Sequence, residues 1–467
     1  MNAHGYDLRA ETRTQAQRFV LTARRVGFRW AALIAGATAI LSGSISRADF
    51  VLTPGIERMV YVADPQSPTM KAIGLAQQAI ARRDLKAARE ELQKLATDPN
   101  TVHPEILLAE LLTNAGFAAD GRNVLEELSG QDPQRVDLYL VFGELAVRER
   151  RWFDGWNLAN VGERMKPPQH WSPVFVQQVS DRLKLLKAVC CEERRDWQAA
   201  KQVYAALPQT EKNSREVLGG LGRTSFHLGD TIAALEHFTK LKDLRPETDP
   251  PQLLMAQLYD LTGKSAEAEA AYQQALKSAT GTDAVRVRLA YARWLIVNNR
   301  PQDTTPLLSE LIKDPPADEI ERQFLQALVA RMEGRLPEAQ KILSALHQQN
   351  TSAFVISNQL ALVLCQNTDE SLRARALQIA EGNVRNLPSA SEAWGTLGWV
   401  QLQLGDRGTA EKSLANAVQL GPLSRDTLHY LRSLKRAAGD TRAADLLDKA
   451  FREAKGPNYF APPAPAK

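Results

Sequence analysis

The sequence predicts an all-α protein, a right-handed α-solenoid of about eleven helix-turn-helix hairpins, on three observations. Apolar residues recur at i, i+3, i+4 and i+7 in stretches of about 14 residues, the spacing of one helix face. The stretches come in pairs, parted by Gly-Asp or an equivalent polar pair: ARRD from Ala81, FHLGD from Phe226, QLQLGD from Gln401 and KRAAGD from Lys435. The pairs repeat about every 34 residues, as from Gly405 to Gly439, and proline often closes the unit, at Pro133, Pro167, Pro246, Pro316, Pro388 and Pro422. A small residue near the middle of each first stretch lets two helices approach. Glycine permits the tight turn, and proline breaks the chain before the next unit. Hairpins that cannot bury their apolar faces alone stack along a line.

The segments are taken in chain order. Residues 1–48 carry seven arginines against Asp7 and Glu11. An apolar run from Trp30 to Ser46 follows, ending at small residues Ser46 and Ala48. Basic stretch, apolar stretch and small-x-small site together read as a secretory signal. Its 17 residues span ~25 Å as a helix, short of the ~30 Å hydrocarbon core. The length of the basic stretch keeps an uncleaved anchor open, with membrane attachment through residues 30–46. Both readings place everything after Ala48 outside the cytoplasm, in the periplasm or another extracytoplasmic space. ARRVGFR is a loose match to a twin-arginine signal, with Gly27 where a large apolar residue is usual. The formal charge of the whole chain is +4. Its excess lies in this leader and the remainder is close to neutral, so the basic balance reports topology and does not call for nucleic acid.

Residues 49–68, with Pro54, Gly55, Pro65 and Pro68, read as a linker, with MVYV as a possible short strand packed on the array. The array itself runs over 69–455, in units beginning near 69, 102, 136, 181, 215, 249, 285, 320, 354, 391 and 425. HWSPVFVQQVS (170–180) lengthens one junction and TDESLR (368–373) lengthens one turn. Residues 456–467, KGPNYFAPPAPAK with its preceding lysine, read as a Pro-rich disordered tail.

The unit resembles the tetratricopeptide repeat, whose 34 residues run W-x2-L-G-x2-Y, A-x3-F, a small residue and P. The segment from Ser391 carries Trp394, Leu397, Gly398, Ala410, Ala417 and Pro422 at that spacing, with Leu414 for the usual aromatic and Gln401 where Tyr is common. Ala256, Tyr259, Gly263, Ala268, Tyr272 and Ala275 supply a second copy. Leu221, Gly222, Gly229, Ala234, Phe238 and Pro246 supply a third. The resemblance implies a concave groove lined by the first helices, which commonly holds peptides or partner helices. Inward candidates for a protein or peptide ligand are Arg223, Phe226, Arg293, Arg331, Trp399 and Arg436, arginines and aromatics being common anchors in recognition. The alternative at these positions is solvated arginine and inter-repeat packing. A carboxylate clamp, known in chaperone-binding members, is not supported: its places hold Ile73, Gln77, Leu140, Glu144, Leu253 and Gln257.

No catalytic or cofactor motif is present, neither H-E-x-x-H, G-x-S-x-G nor a P-loop. The glycines of VLGGLGRT (217–224) fall within a first helix and read as helix contacts. The histidines are scattered, His227 and His237 included, and complete no metal set. Cys190 and Cys191 read as small core residues, a redox or intermolecular thiol being the sharper alternative, and Cys365 reads as buried. Asn350-Thr351-Ser352 is a formal glycosylation acceptor. The expectation is a non-catalytic scaffold binding a protein or peptide in the cell envelope; the alternative is an accessory subunit of an envelope polysaccharide system.

Overall fold

The computed structural model describes residues 59–60, 67–208, 213–313, 319–454 and 456–460. The expected leader and its membrane-attachment segment lie outside the described residues, as do 461–467 of the tail. The described residues form twenty-two helices, paired as eleven hairpins. They are α1 (Pro68–Ala81) with α2 (Leu85–Gln93), α3 (Pro104–Asn114) with α4 (Ala118–Gln131), α5 (Val136–Arg148) with α6 (Trp152–Gly162), and α7 (Pro173–Glu193) with α8 (Trp197–Ala205). Next come α9 (Arg215–His227) with α10 (Thr231–Leu244), α11 (Pro251–Leu261) with α12 (Ser265–Ser278), α13 (Gly281–Val297) with α14 (Pro301–Lys313), and α15 (Glu319–Met332) with α16 (Leu336–Gln349). The last three are α17 (Phe354–Leu364) with α18 (Glu370–Asn386), α19 (Ser391–Gln403) with α20 (Arg407–Leu420), and α21 (Arg425–Ala437) with α22 (Thr441–Glu453). None of these helices is long and apolar enough to cross a membrane.

One turn recurs in ten of the hairpins. The residue after the first helix's cap takes a left-handed conformation. It is glycine at 116, 229, 263, 334, 405 and 439, arginine at 83, 150 and 195, and asparagine at 299. The next residue's N–H then returns to a carbonyl five residues back, as Asp230 does to Ser225 and Asp440 to Lys435, so that otherwise orphaned helix-end carbonyls are satisfied. In five hairpins that next residue is an aspartate that also caps the second helix. Asp84, Asp196, Asp230, Asp406 and Asp440 accept from the N–H three residues on, at 3.0–3.2 Å. The Gly-Asp signature in the sequence is this double duty, one residue for the backbone and the next for the cap. The turn at TDESLR uses another device: Asp369 caps α18 through the N–H of Ser371 at 2.8 Å.

Two compact units result, one within Ser44–Ala271 and the other within Tyr272–Lys467. The C-terminal unit has one large core, whereas the buried residues of the N-terminal unit fall into successive clusters. The N-terminal unit buries Ile73, Ile106, Leu140 and Leu183, and the C-terminal unit Leu328, Leu360, Val400 and Leu434. α7 is longer than its unit predicts, 21 residues from Pro173. Ser172 caps it, proline at its first position suits the helix start, and nothing in VFVQQVS interrupts it. The cap also ties back to an earlier turn, Ser172 N–H to Pro99 O at 2.8 Å and Oγ to Asn100 at 2.6 Å.

Two segments expected outside the array touch it where they are described. In the reading of 49–68 as a linker, Met59 and Val60 belong to it, yet both are buried. They pair with Thr101–Val102 in an antiparallel bridge. Residues 456–460 of the expected disordered tail pack on the C-terminal unit, because Tyr459 and Phe460 bring apolar surface that the surrounding proline-alanine composition hides.

An arginine in the left-handed region carries a steric cost that glycine does not. Arg150→Gly is expected to stabilise the chain by about 0.5–1 kcal/mol in urea unfolding, the strain relieved outweighing the added entropy of the unfolded chain.

Candidate peptide-binding site

Successive first helices lie side by side, and charged pairs join them. In the N-terminal unit, Glu110 of α3 faces Arg148 of α5 at 3.9 Å, and Glu144 of α5 accepts from Arg182 of α7 at 2.5 Å. Glu192 of α7 takes Arg223 of α9 on both oxygens, at 2.5 and 3.0 Å. The three carboxylates are almost wholly buried. Burial pushes the Glu110 carboxyl above the usual range, and Arg148 opposes the shift. In the C-terminal unit, Arg293 of α13 meets Glu321 of α15 at 3.1 Å.

This pattern reassigns several candidates. Arg223 is bound to Glu192, which also accepts the Tyr204 hydroxyl at 3.0 Å, so it ties helices together. Phe226 is buried among Ala234, Phe238, Met255 and Leu258 and meets Tyr259 edge-on at 4.9 Å. Arg293 is a helix-to-helix tie of the same kind. Arg436 is half exposed and bonded to Asp448 of its own hairpin. The neighbouring glycines of VLGGLGRT lie within α9, where a Cβ on Gly220 would meet the Tyr204 ring at 2.3 Å and one on Gly222 the Phe238 ring at 2.3 Å. They are contact glycines and do not form a phosphate loop.

Arg331 and Trp399 are different. They stand in one site on the first-helix face of the C-terminal unit, and the chain's own end occupies it. Arg331 of α15 is 3% exposed. Its Nη1 donates to Gln359 of α17, and Nη2 lies 3.8 Å from the Asp426 carboxylate of α21. Its Nε and Nη2 make no hydrogen bond. The Tyr459 ring covers its guanidinium instead, with the centroid 3.9 Å away. Trp399 of α19 stacks on Tyr430 of α21 at 4.8 Å. Phe460 stacks flat on His429 at 3.7 Å and meets Trp399 edge-on at 5.9 Å.

The backbone of the same segment is held as well. Arg425 donates to Gly456 O at 2.7 Å. The Asn299 side chain donates to Gly456 O at 3.3 Å and accepts from the Asn458 N–H at 2.5 Å. One amide thus reads both an acceptor and a donor of the segment's main chain. Asn299 reaches it from the left-handed turn between α13 and α14, a conformation asparagine tolerates. Asn458 then accepts from the Phe460 N–H at 3.1 Å, setting the bend that presents both rings. Sequence reasoning missed Asn299, Arg425, Asp426, His429 and Tyr430. The signal available to it was the pair of adjacent aromatics in a tail rich in proline and alanine.

Burial shapes the electrostatics of the site. Burial, with Arg432, Arg436 and Arg331 nearby, lowers His429 to about 4. Arg432 donates to its Nδ1 at 3.2 and 2.8 Å, which requires the neutral ring. Burial raises the Asp426 carboxyl, opposed by Arg331 and the Tyr430 hydroxyl. Among the described residues no group of three His, Cys, Asp or Glu side chains is placed to hold a metal ion. His227 stacks on Trp197 at 3.8 Å. Cys190, Cys191 and Cys365 are buried thiols, and burial pushes Cys190 and Cys365 up to about 12, where they stay protonated at neutral pH.

Residues 252–280, the hairpin of α11 and α12, match the tetratricopeptide repeat family. The same paired helices and the same turn recur along the chain. The chain thus carries a tetratricopeptide repeat at this hairpin. A fold of such repeats supports a scaffold for protein–protein interaction. Solved structures similar to this repeat protein include the Cut9–Hcn1 hetero-tetramer of the APC/C, at 13% identity over 83% of this chain and 79% of that chain, TM-score 0.34. PilW, a type IV pilus biogenesis factor, is 14% identical over 47% of this chain and 97% of its own, TM-score 0.34. A tetratricopeptide repeat protein from Parabacteroides merdae is 13% identical over 64% and 98%, TM-score 0.31. No curated protein sequence matches the chain.

Arg223→Ala strands the buried Glu192 carboxylate and is expected to cost about 3 kcal/mol in chemical denaturation, against under about 1 kcal/mol for Arg436→Ala at an exposed pair. His429 titrates lower in the folded chain than its ordinary 6.5. The fold therefore favours the neutral ring, and its contribution is complete above pH ~6.5 and is lost as pH falls toward 4. The stability advantage of the native chain over His429→Gln should shrink by on the order of 2 kcal/mol between pH 7 and 4, read from urea midpoints at each pH.

Proposed function

We propose that this repeat protein presents the first-helix face of its C-terminal unit to an extended peptide of a partner, and that it does so outside the cytoplasm. The observation that carries the proposal is the way Gly456–Phe460 is held: main-chain atoms by Asn299 and Arg425, side chains by Arg331, Trp399 and His429. A face that clamps backbone polar groups and aromatic rings together is suited to peptides, since main-chain bonds give affinity and ring pockets give selection. Arg148, Arg182 and Arg223 of the N-terminal unit are spent on carboxylates of neighbouring first helices, which supports placing recognition at Arg331 in the C-terminal unit. The extracytoplasmic location is supported by the basic stretch, apolar run and small-x-small site of residues 1–48.

The full chain, crosslinked in cells and recovered from the envelope fraction, should bring down a protein partner. Trp399→Ala with Asn299→Ala should cut that recovery at least tenfold, whereas Arg436→Ala should leave it unchanged. Equal recovery with the double variant would overturn the assignment of the face. Mass spectrometry of the same material should find Asp49 first for a cleaved signal or an intact N-terminus in the membrane fraction for an anchor. Recovery of the chain in the cytosol alone overturns the location.

A further inference from the structure

The segment in the site is part of the chain, and its chemistry names the occupant a partner must replace. We infer that this face docks extended peptides carrying two adjacent aromatic side chains, and that Asn458–Tyr459–Phe460 is an intramolecular stand-in which such a partner displaces. The inference rests on the proposed function above and specifies its ligand.

Four observations carry it. Each ring has its own place: Tyr459 lies over the Arg331 guanidinium, and Phe460 lies flat on His429 with its edge toward Trp399 and Tyr430. Both rings remain partly accessible, so they sit on the face and are not part of the sealed core. The polar side chains that hold the segment hold its backbone, and a backbone is common to every peptide. Arg331, buried and with Nε and Nη2 lacking hydrogen bonds, is polar chemistry that the stand-in covers with a ring and leaves unsatisfied. A partner peptide with a carbonyl or carboxylate at that place has an interaction available to it that the tail does not make.

The occupant is supplied in cis. Only Ala454 and Lys455 separate α22 from Gly456. So short a tether gives an effective concentration in the millimolar range. If the tail's own dissociation constant were ~100 μM, a free peptide of equal intrinsic affinity would bind the native chain about tenfold more weakly than an opened one. Partner binding is thereby set against a fixed internal competitor, and ligands weaker than the tail are excluded.

The test uses the full chain and the synthetic peptide GPNYFAPPAPAK. Isothermal titration should show the peptide binding Tyr459→Ala/Phe460→Ala at least tenfold more tightly than the native chain. A peptide with both aromatics replaced by alanine should not bind. Asn299→Gly is the second variant: glycine keeps the left-handed turn and removes only the backbone clamp, so the native fold persists and the tail is loosened. It should raise the accessibility of Trp399 to a fluorescence quencher. Equal affinity of native and opened chains, or no peptide binding by an opened chain whose thermal unfolding stays cooperative, overturns the inference. If that failure accompanies undiminished partner recovery by the opened chain, the face still binds protein and only the aromatic ligand class is wrong; if recovery also fails, both readings fall. A dimer by light scattering that becomes monomeric in Tyr459→Ala/Phe460→Ala would assign the tail to a second copy and overturn occupancy in cis.

Discussion

The buried carboxylate shared between neighbouring first helices is the contact on which the arrangement of hairpins depends. A hairpin alone leaves the apolar side of its first helix open, and stacking covers it, but apolar contact is non-directional and tolerates sliding. Glu110 with Arg148, Glu144 with Arg182, and Glu192 with Arg223 are directional. A shift of one turn would bury a carboxylate without its guanidinium, which is far worse than burying neither. These pairs add little net stability over an apolar replacement, and their value lies in making wrong registers costly. The contact glycines act in the same direction. Gly220 and Gly222 admit the Tyr204 and Phe238 rings at a depth that only one alignment allows.

The same logic bears on where the proposed recognition face lies. Arginine on a first helix has two uses, to tie the next helix or to meet a ligand, and the presence of an acidic partner decides between them. Arg331 has Asp426 at 3.8 Å and one bond to Gln359, and its guanidinium face is given to Tyr459. Trp399 is likewise part core and part platform, stacked on Tyr430 on one side and edged by Phe460 on another.

The repeat was legible in the sequence because its determinants are local. A left-handed residue followed by a capping aspartate needs only neighbours, so Gly405-Asp406 and Gly439-Asp440 announce their turns. Arg83 and Arg195 are harder, since arginine does not ordinarily take that conformation, yet the following aspartate marks them. The extension of α7 was hidden by a periodicity read from position 181, although Ser172-Pro173 carries its start signal. The site was less legible. Arg223 and Arg331 occupy equivalent-looking places, and only the partner contributed by another helix separates them. Composition placed residues 456–467 in a disordered class by averaging over Tyr459 and Phe460, and no local rule connects Asn458 to Asn299.

That last contact has a mechanical meaning. A stack in which each hairpin touches only its neighbours unfolds like a zipper, from whichever end is weaker. The bonds from Asn299 to Gly456 and Asn458 join residues 157 and 159 positions apart, so the last hairpin of the C-terminal unit is fastened to the turn between α13 and α14 near that unit's beginning. The zipper has a clasp. A contact at the turn between α13 and α14 thus closes the C-terminal five hairpins into a loop. A ligand that lifts the tail also unlocks that loop.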